Sequence, residues 1–161
     1  MSSVGFTPTL DKKEADIVVV NTCTVRDHAE NKAVSYLGRL RPWKAAFPDK
    51  LLIVAGCAAE RLKDQLIRRF PYVDLVVGAK DITRFSEMIE PLLASASFRV
   101  RPAEATMSVG QGPAPYPVVQ SVTITRGCNF NCAYCIVPFV RGKEESRSPN
   151  EINNDVQRCL R

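Results

Sequence analysis

A chain of 161 residues has length for one domain, or for one and a fraction. Its apolar share of 45% and charged share of 24% are those of a soluble globular protein, and no run approaches a membrane-spanning helix. Twenty-two Lys and Arg against 17 Asp and Glu leave a net charge of +5, which is compatible with an RNA partner but does not by itself require one. The start, Met1-Ser2-Ser3-Val4-Gly5, lacks the basic-then-apolar pattern of a secretory signal. A cytoplasmic, reducing compartment is therefore expected, where cysteines serve as metal ligands more often than as disulfides.

The first elements alternate strand and helix. Residues 17–20 are a β-branched apolar run, read as a buried parallel strand. Asn21-Thr22-Cys23-Thr24-Val25-Arg26 follows, and the spacing of Ala29, Ala33, Tyr36, Leu37 and Leu40 predicts a helix over 27–40, ended by Pro42 and Trp43. Residues 51–55 form a second buried strand running into Gly56-Cys57-Ala58-Ala59. The helix after it carries Leu62, Leu66, Ile67 and Phe70 and stops at Pro71. A third strand over 73–77 ends at Gly78. Asp81 opens a helix with Ile82, Phe85, Met88, Ile89 and Leu92 on its inner side.

Such alternation implies an α/β fold with right-handed crossovers and a parallel, doubly wound sheet, whose functional edge lies at the carboxyl ends of the strands. Cys23 and Cys57 each lie just past such an end, so the two thiols converge on one rim although 34 positions separate them. The plainer account is two small residues at tight strand-to-helix turns.

Residues 95–117 change character. Gly110, Gly112, Pro113, Pro115 and Pro117 break helices, and the segment reads as a partly extended linker in which Arg99 and Arg101 form a solvated face. Residues 121–125 then alternate in strand fashion. Further on, Ser148-Pro149-Asn150-Glu151 is a capping box, with Ser148 at N-cap, opening a helix that carries Ile152, Val156 and Leu160. Cys159 on that helix reads as a core or surface thiol.

The densest chemistry lies between these two elements, in Arg126-Gly127-Cys128-Asn129-Phe130-Asn131-Cys132-Ala133-Tyr134-Cys135. Three thiols at C-x3-C-x2-C spacing can hold three irons of a cubane cluster and leave the fourth iron open, as a catalytic zinc keeps one open position. Structural zinc is the rival, but it wants four ligands, only one C-x2-C is present, and the single histidine, His28, is remote in sequence. A disulfide would leave one of the three thiols over, and inert thiols are the remaining alternative.

The stretch resembles the cluster loop of radical S-adenosylmethionine enzymes. The resemblance implies a 4Fe–4S cluster on Cys128, Cys132 and Cys135 whose open iron takes S-adenosylmethionine, with Tyr134 against the nucleoside or, in the plainer reading, packed as an ordinary aromatic. The following Val137-Pro138-Phe139-Val140-Arg141-Gly142 run is similar to the "VPxxRG" run of the methylthiotransferase branch. Asn21 to Arg26 and Gly56 to Glu60 resemble two of the three cysteine motifs of that branch's N-terminal domain. Cys23 and Cys57 are thereby implied as ligands of a second 4Fe–4S cluster, whose third cysteine has no counterpart upstream.

The implied architecture is a flavodoxin-like domain over 1–94 lacking its first strand, a linker over 95–117, and over 118–161 the first β/α unit of a partial TIM barrel. The chain is expected to be truncated at both ends. Asn31-Lys32-Ala33, Leu37 to Leu40 and Pro71 to Asp74 are most similar to the members that methylthiolate C2 of isopentenyladenosine beside the tRNA anticodon. Sister branches act on threonylcarbamoyl-adenosine in tRNA or on a ribosomal-protein aspartate. The implied partners are tRNA, S-adenosylmethionine and a flavodoxin- or ferredoxin-type electron donor, with no membrane, and a monomer is expected. A different class of reading is a catalytically incomplete chain that serves only as a binding or structural module.

Overall fold

The computed structural model describes residues 6–95 and 121–160, so the expected linker over 95–117 lies, apart from Ser95, outside the described residues. Three parallel strands, β1 (Ile17–Thr22), β2 (Leu51–Gly56) and β3 (Leu75–Gly78), form a sheet in the order β1-β2-β3. Helices α1 (Asp27–Ala46) and α2 (Cys57–Arg69) make the two crossovers, and α3 (Phe85–Ser95) follows β3 after a short 3-10 turn, Ile82–Arg84. The α/β arrangement and parallel sheet expected from the alternation are present, with α1 and α2 on one face and α3 on the other.

Its two-sidedness follows from the pleat, since successive side chains of a strand point to opposite faces. Leu52 and Val54 of β2 pack with Leu37, Leu40, Leu66 and Phe70 beneath α1 and α2, while Leu51, Ile53 and Ala55 pack with Ile89 beneath α3. All six residues of β2 are buried, as a central parallel strand requires. β1 departs from the expectation of full burial: among the described residues it has one neighbour strand, Val19 is 37% exposed, and of its six residues only Val20 and Thr22 are enclosed. Ile67 likewise points to solvent from α2.

The expected end of the first helix at Pro42 is corrected. α1 continues to Ala46 with Pro42 inside it. Proline removes the bond to the carbonyl four residues back, here Gly38. Gly38 and Pro42 both lie on the solvent side, so water can serve that carbonyl. The turn beyond is anchored by tertiary partners. Trp43 Nε1 donates to the Lys12 carbonyl at 2.7 Å. The buried Lys44 ammonium donates to the carbonyls of Pro48 and Lys50 and to both oxygens of Asp74, and Asp74 also accepts from the Leu52 amide.

The second segment is smaller. The expected strand over 121–125 is reduced to β4 (Thr125–Arg126), which pairs antiparallel with β5 (Glu145–Ser146). A parallel barrel strand needs parallel neighbours on its flanks, and among the described residues β4 has none. Between the two lies α4 (Val137–Arg141), and after them α5 (Pro149–Cys159). α5 begins on the expected capping box: Ser148 Oγ accepts from the Glu151 amide, and the Glu151 carboxylate accepts from the Ser148 amide. No helix among the described residues is long and apolar enough to cross a membrane.

Candidate functional site

The sheet register sets the first pair of thiols. Thr22 pairs with Gly56 as the last rung between β1 and β2, so Cys23 and Cys57 are the next residues on adjacent chains. They leave the sheet differently. Cys57 is the first residue of α2 and is 5% exposed, whereas Cys23 stands in solvent. Both lie on the carboxyl rim, as expected, but the anticipated loop around Cys57 is helix.

Thr22 holds this rim together, a role the sequence pattern did not reveal. Its Oγ1 donates to the Ala55 carbonyl at 2.7 Å and accepts from the Ala59 amide at 3.1 Å. Ala59 is the third residue of α2, and the residue at the N-cap, Gly56, has no side chain to cap with. A hydroxyl from the neighbouring strand therefore satisfies an orphan donor of the helix start. Gly56 is required there: its φ is +104°, and an added Cβ would collide with the Thr22 carbonyl.

Thr24 is fixed too. Its hydroxyl hydrogen-bonds the Glu30 carboxylate, and Arg61 of α2 meets both Thr24 Oγ1, at 3.2 Å, and Glu30. Burial draws the Glu30 carboxyl upward, but the hydrogen bonds from Arg61 and Thr24 outweigh it and hold its pKa below the ordinary value. Cys23 is thus the free side chain between two anchored threonines.

The second set of thiols lies on a loop closed at its neck. The Cys128 amide donates to the Gly142 carbonyl at 3.2 Å, and the Glu144 amide donates to Asn129 Oδ1 at 3.1 Å. Gly127 has φ +73°, and a Cβ there would run into the Lys143 backbone, so the two ends of the loop touch main chain to main chain. Within the loop the Cys135 amide donates to the Cys132 carbonyl at 3.0 Å, so these two thiols stand at the two ends of one tight turn. Cys132 is exposed, and Cys128 and Cys135 are half-buried. Tyr134 is 92% exposed, so the reading of it as a packing aromatic fails.

All six cysteines are free. Among the described residues no three His, Cys, Asp or Glu side chains are gathered closely enough to hold a metal ion. The loop therefore supplies the right donors for a three-thiolate cluster site, unpaired and accessible, without the thiols being drawn together. The Cys23 and Cys57 rim supplies two donors only, which does not fit a cluster by itself.

The two thiol groups are connected. Arg141, at the end of α4, donates from Nε to Cys57 Sγ at 3.3 Å, and Val140 beside it is 2% exposed. The hydrogen bond to Cys57, then the charge of that sulfur and more weakly that of Cys23, raises the pKa of the guanidinium against the opposing effect of burial. The "VPxxRG"-like run was legible as a motif, but this contact across 84 positions was not.

Known proteins are similar to this chain in sequence. Residues 1–78 match the family model described as "Uncharacterized protein family UPF0004". The tRNA-2-methylthio-N(6)-dimethylallyladenosine synthase of Syntrophobacter fumaroxidans is 45% identical over 166 residues, covering 97% of this chain and 35% of that protein. The protein of the same name from Dictyoglomus thermophilum is 36% identical over 162 residues, covering 98% of this chain and 36% of its own length. The chain thus spans about a third of the length of the curated relatives it matches. The UPF0004 match thus lies over the sheet, and the likeness to the two synthases continues through the clasped thiol loop.

Proposed function

We propose that the chain serves in the methylthiolation of tRNA, at C2 of isopentenyladenosine beside the anticodon, by a radical S-adenosylmethionine reaction in the cytoplasm. The observation that carries this reading is the clasped loop with three free thiols at C-x3-C-x2-C spacing. The names of the two relatives support the tRNA substrate over the threonylcarbamoyl-adenosine and ribosomal-protein alternatives, and the net charge of +5 suits an RNA partner.

The target is an unactivated C–H bond with no acidic proton, so a side-chain base cannot take it at a useful rate. In this reading Cys128, Cys132 and Cys135 would hold a 4Fe–4S cluster. When bound, that cluster supplies the single electron, passed on from a flavodoxin- or ferredoxin-type donor, that splits the S-adenosylmethionine sulfonium. The chain's own part is positioning. The backbone clasp at Gly127 and Gly142 fixes where the loop leaves the fold, and the exposed Tyr134 offers a ring face on which an adenine can stack. Cys23 and Cys57 are the donors this chain offers to a second cluster, and two thiols fall short of the ligand set a cubane needs.

Anaerobic loading with ferrous iron and sulfide tests the assignment. The loaded chain, reduced with dithionite, should show a cubane signal in electron paramagnetic resonance that shifts when S-adenosylmethionine is added, and Cys132→Ala should lose it. One zinc per chain with no such signal would establish the structural zinc alternative. A chain that takes up neither metal would be a binding module without cluster chemistry.

A further inference from the structure

Val137–Arg141 provides no metal ligand, yet it joins the two places that do offer thiols. Arg141 Nε reaches Cys57 Sγ at 3.3 Å, and α4 packs on α2 beside the buried Val140. One residue on, Gly142 turns the chain with φ +80°, and its carbonyl accepts the Cys128 amide at 3.2 Å. Two consecutive residues therefore link a sulfur on the sheet rim to the first sulfur-bearing residue of the loop, with one polar contact on each side. The chemistry of the first contact is selective. Sulfur is a weak acceptor as a thiol, and a cationic donor strengthens the bond when the sulfur carries charge. A planar guanidinium can make that contact from Nε while its remaining donors stay in water, which a lysine ammonium cannot reproduce.

We infer that Arg141 is a positioning residue that clasps the thiol loop to the Cys57 rim and so fixes the spacing between the two sulfur sites. The inference deepens the proposed function, since that reading is what makes the spacing matter, but the clasp itself is a property of the unloaded chain.

Amide hydrogen exchange on the full 161-residue chain tests it, using wild type, Arg141→Ala, Cys57→Ala and the double variant. Each single change should speed exchange over residues 137–144 by about tenfold, because each removes the same local restraint. The double variant should be no faster than either single one, while β2 keeps its protection in all four. Arg141→Lys, which keeps the charge and the apolar stem, should fall between wild type and Arg141→Ala. Unchanged exchange in Arg141→Ala, or effects of the two changes that multiply, would overturn the inference. If β2 is deprotected in Arg141→Ala, the lysine variant decides: full wild-type protection over 137–144 overturns the clasp, and an intermediate rate sustains it. Iron uptake measured on the same samples separates the two claims. Uptake without exchange coupling sinks the clasp and leaves the function standing, whereas coupling without uptake does the reverse.

Discussion

At the scale of single residues, the rim depends on one hydroxyl. Thr22→Val keeps the shape but removes the donor to Ala55 and the acceptor for Ala59, leaving a buried amide without a partner. Loss of a cap and of a buried hydrogen bond should lower unfolding free energy by roughly 1–3 kcal/mol, whereas Thr22→Ser, which retains both bonds, should cost less. Urea unfolding at fixed salt measures both. A neighbouring residue sets a pH dependence. The folded Glu30 carboxyl titrates below its ordinary value of 4.5, so the unfolded chain takes up the proton first as pH falls. Glu30 therefore contributes stability above pH 4.5 that is lost as pH drops through its folded value. The stability difference between wild type and Glu30→Gln should be largest near neutral pH and shrink below 4.5, as urea midpoints across that range would show.

At the scale of elements, α1 shows where local rules end. The apolar spacing from Ala29 to Leu40 places the helix, and Pro42 reads as its stop. The structure carries the helix on because Trp43 and Lys44 find distant partners in Lys12 and Asp74, contacts that no local window contains. Pro42→Ala restores a helical amide opposite Gly38 without disturbing those partners. It should raise stability by about 1 kcal/mol or more, as the interior proline penalty is partly relieved. The three parallel strands and the α5 capping box were legible because a β-branched run and a Ser-Pro-x-Glu signature carry their own physics. Strand β4 was not, because alternation over 121–125 says nothing about whether a neighbour strand is there to pair with. The candidate site divides the same way. Thiol spacing was legible along the chain, and so was the shared rim of Cys23 and Cys57, which follows from strand ends. The trans cap by Thr22 and the Arg141 contact depend on which strand and which helix lie adjacent in space, and no spacing encodes that.

At the scale of the whole molecule, the two thiol groups are set apart by structure as well as by sequence. One sits at the end of a buried parallel sheet, with Cys57 enclosed at the start of α2, and the other lies on an accessible loop stapled at its neck. Mechanical linkage through Arg141 does not make either group a ligand of the other's metal. In the proposed reading a loop-held cubane should bring about four irons per chain, since three thiolates suffice for it while two on the rim do not. Cys128→Ser, Cys132→Ser or Cys135→Ser should each remove most of that iron, whereas Cys23→Ser should leave it unchanged. Cys159 is the last residue of α5, outside the loop, and Cys159→Ser should also leave it unchanged. Iron and acid-labile sulfide assays on anaerobically loaded variants give the comparison directly. Equal losses from the rim and loop variants would mean that the chain builds one shared metal site from both segments, and the assignment of the cluster to the loop alone would then be wrong.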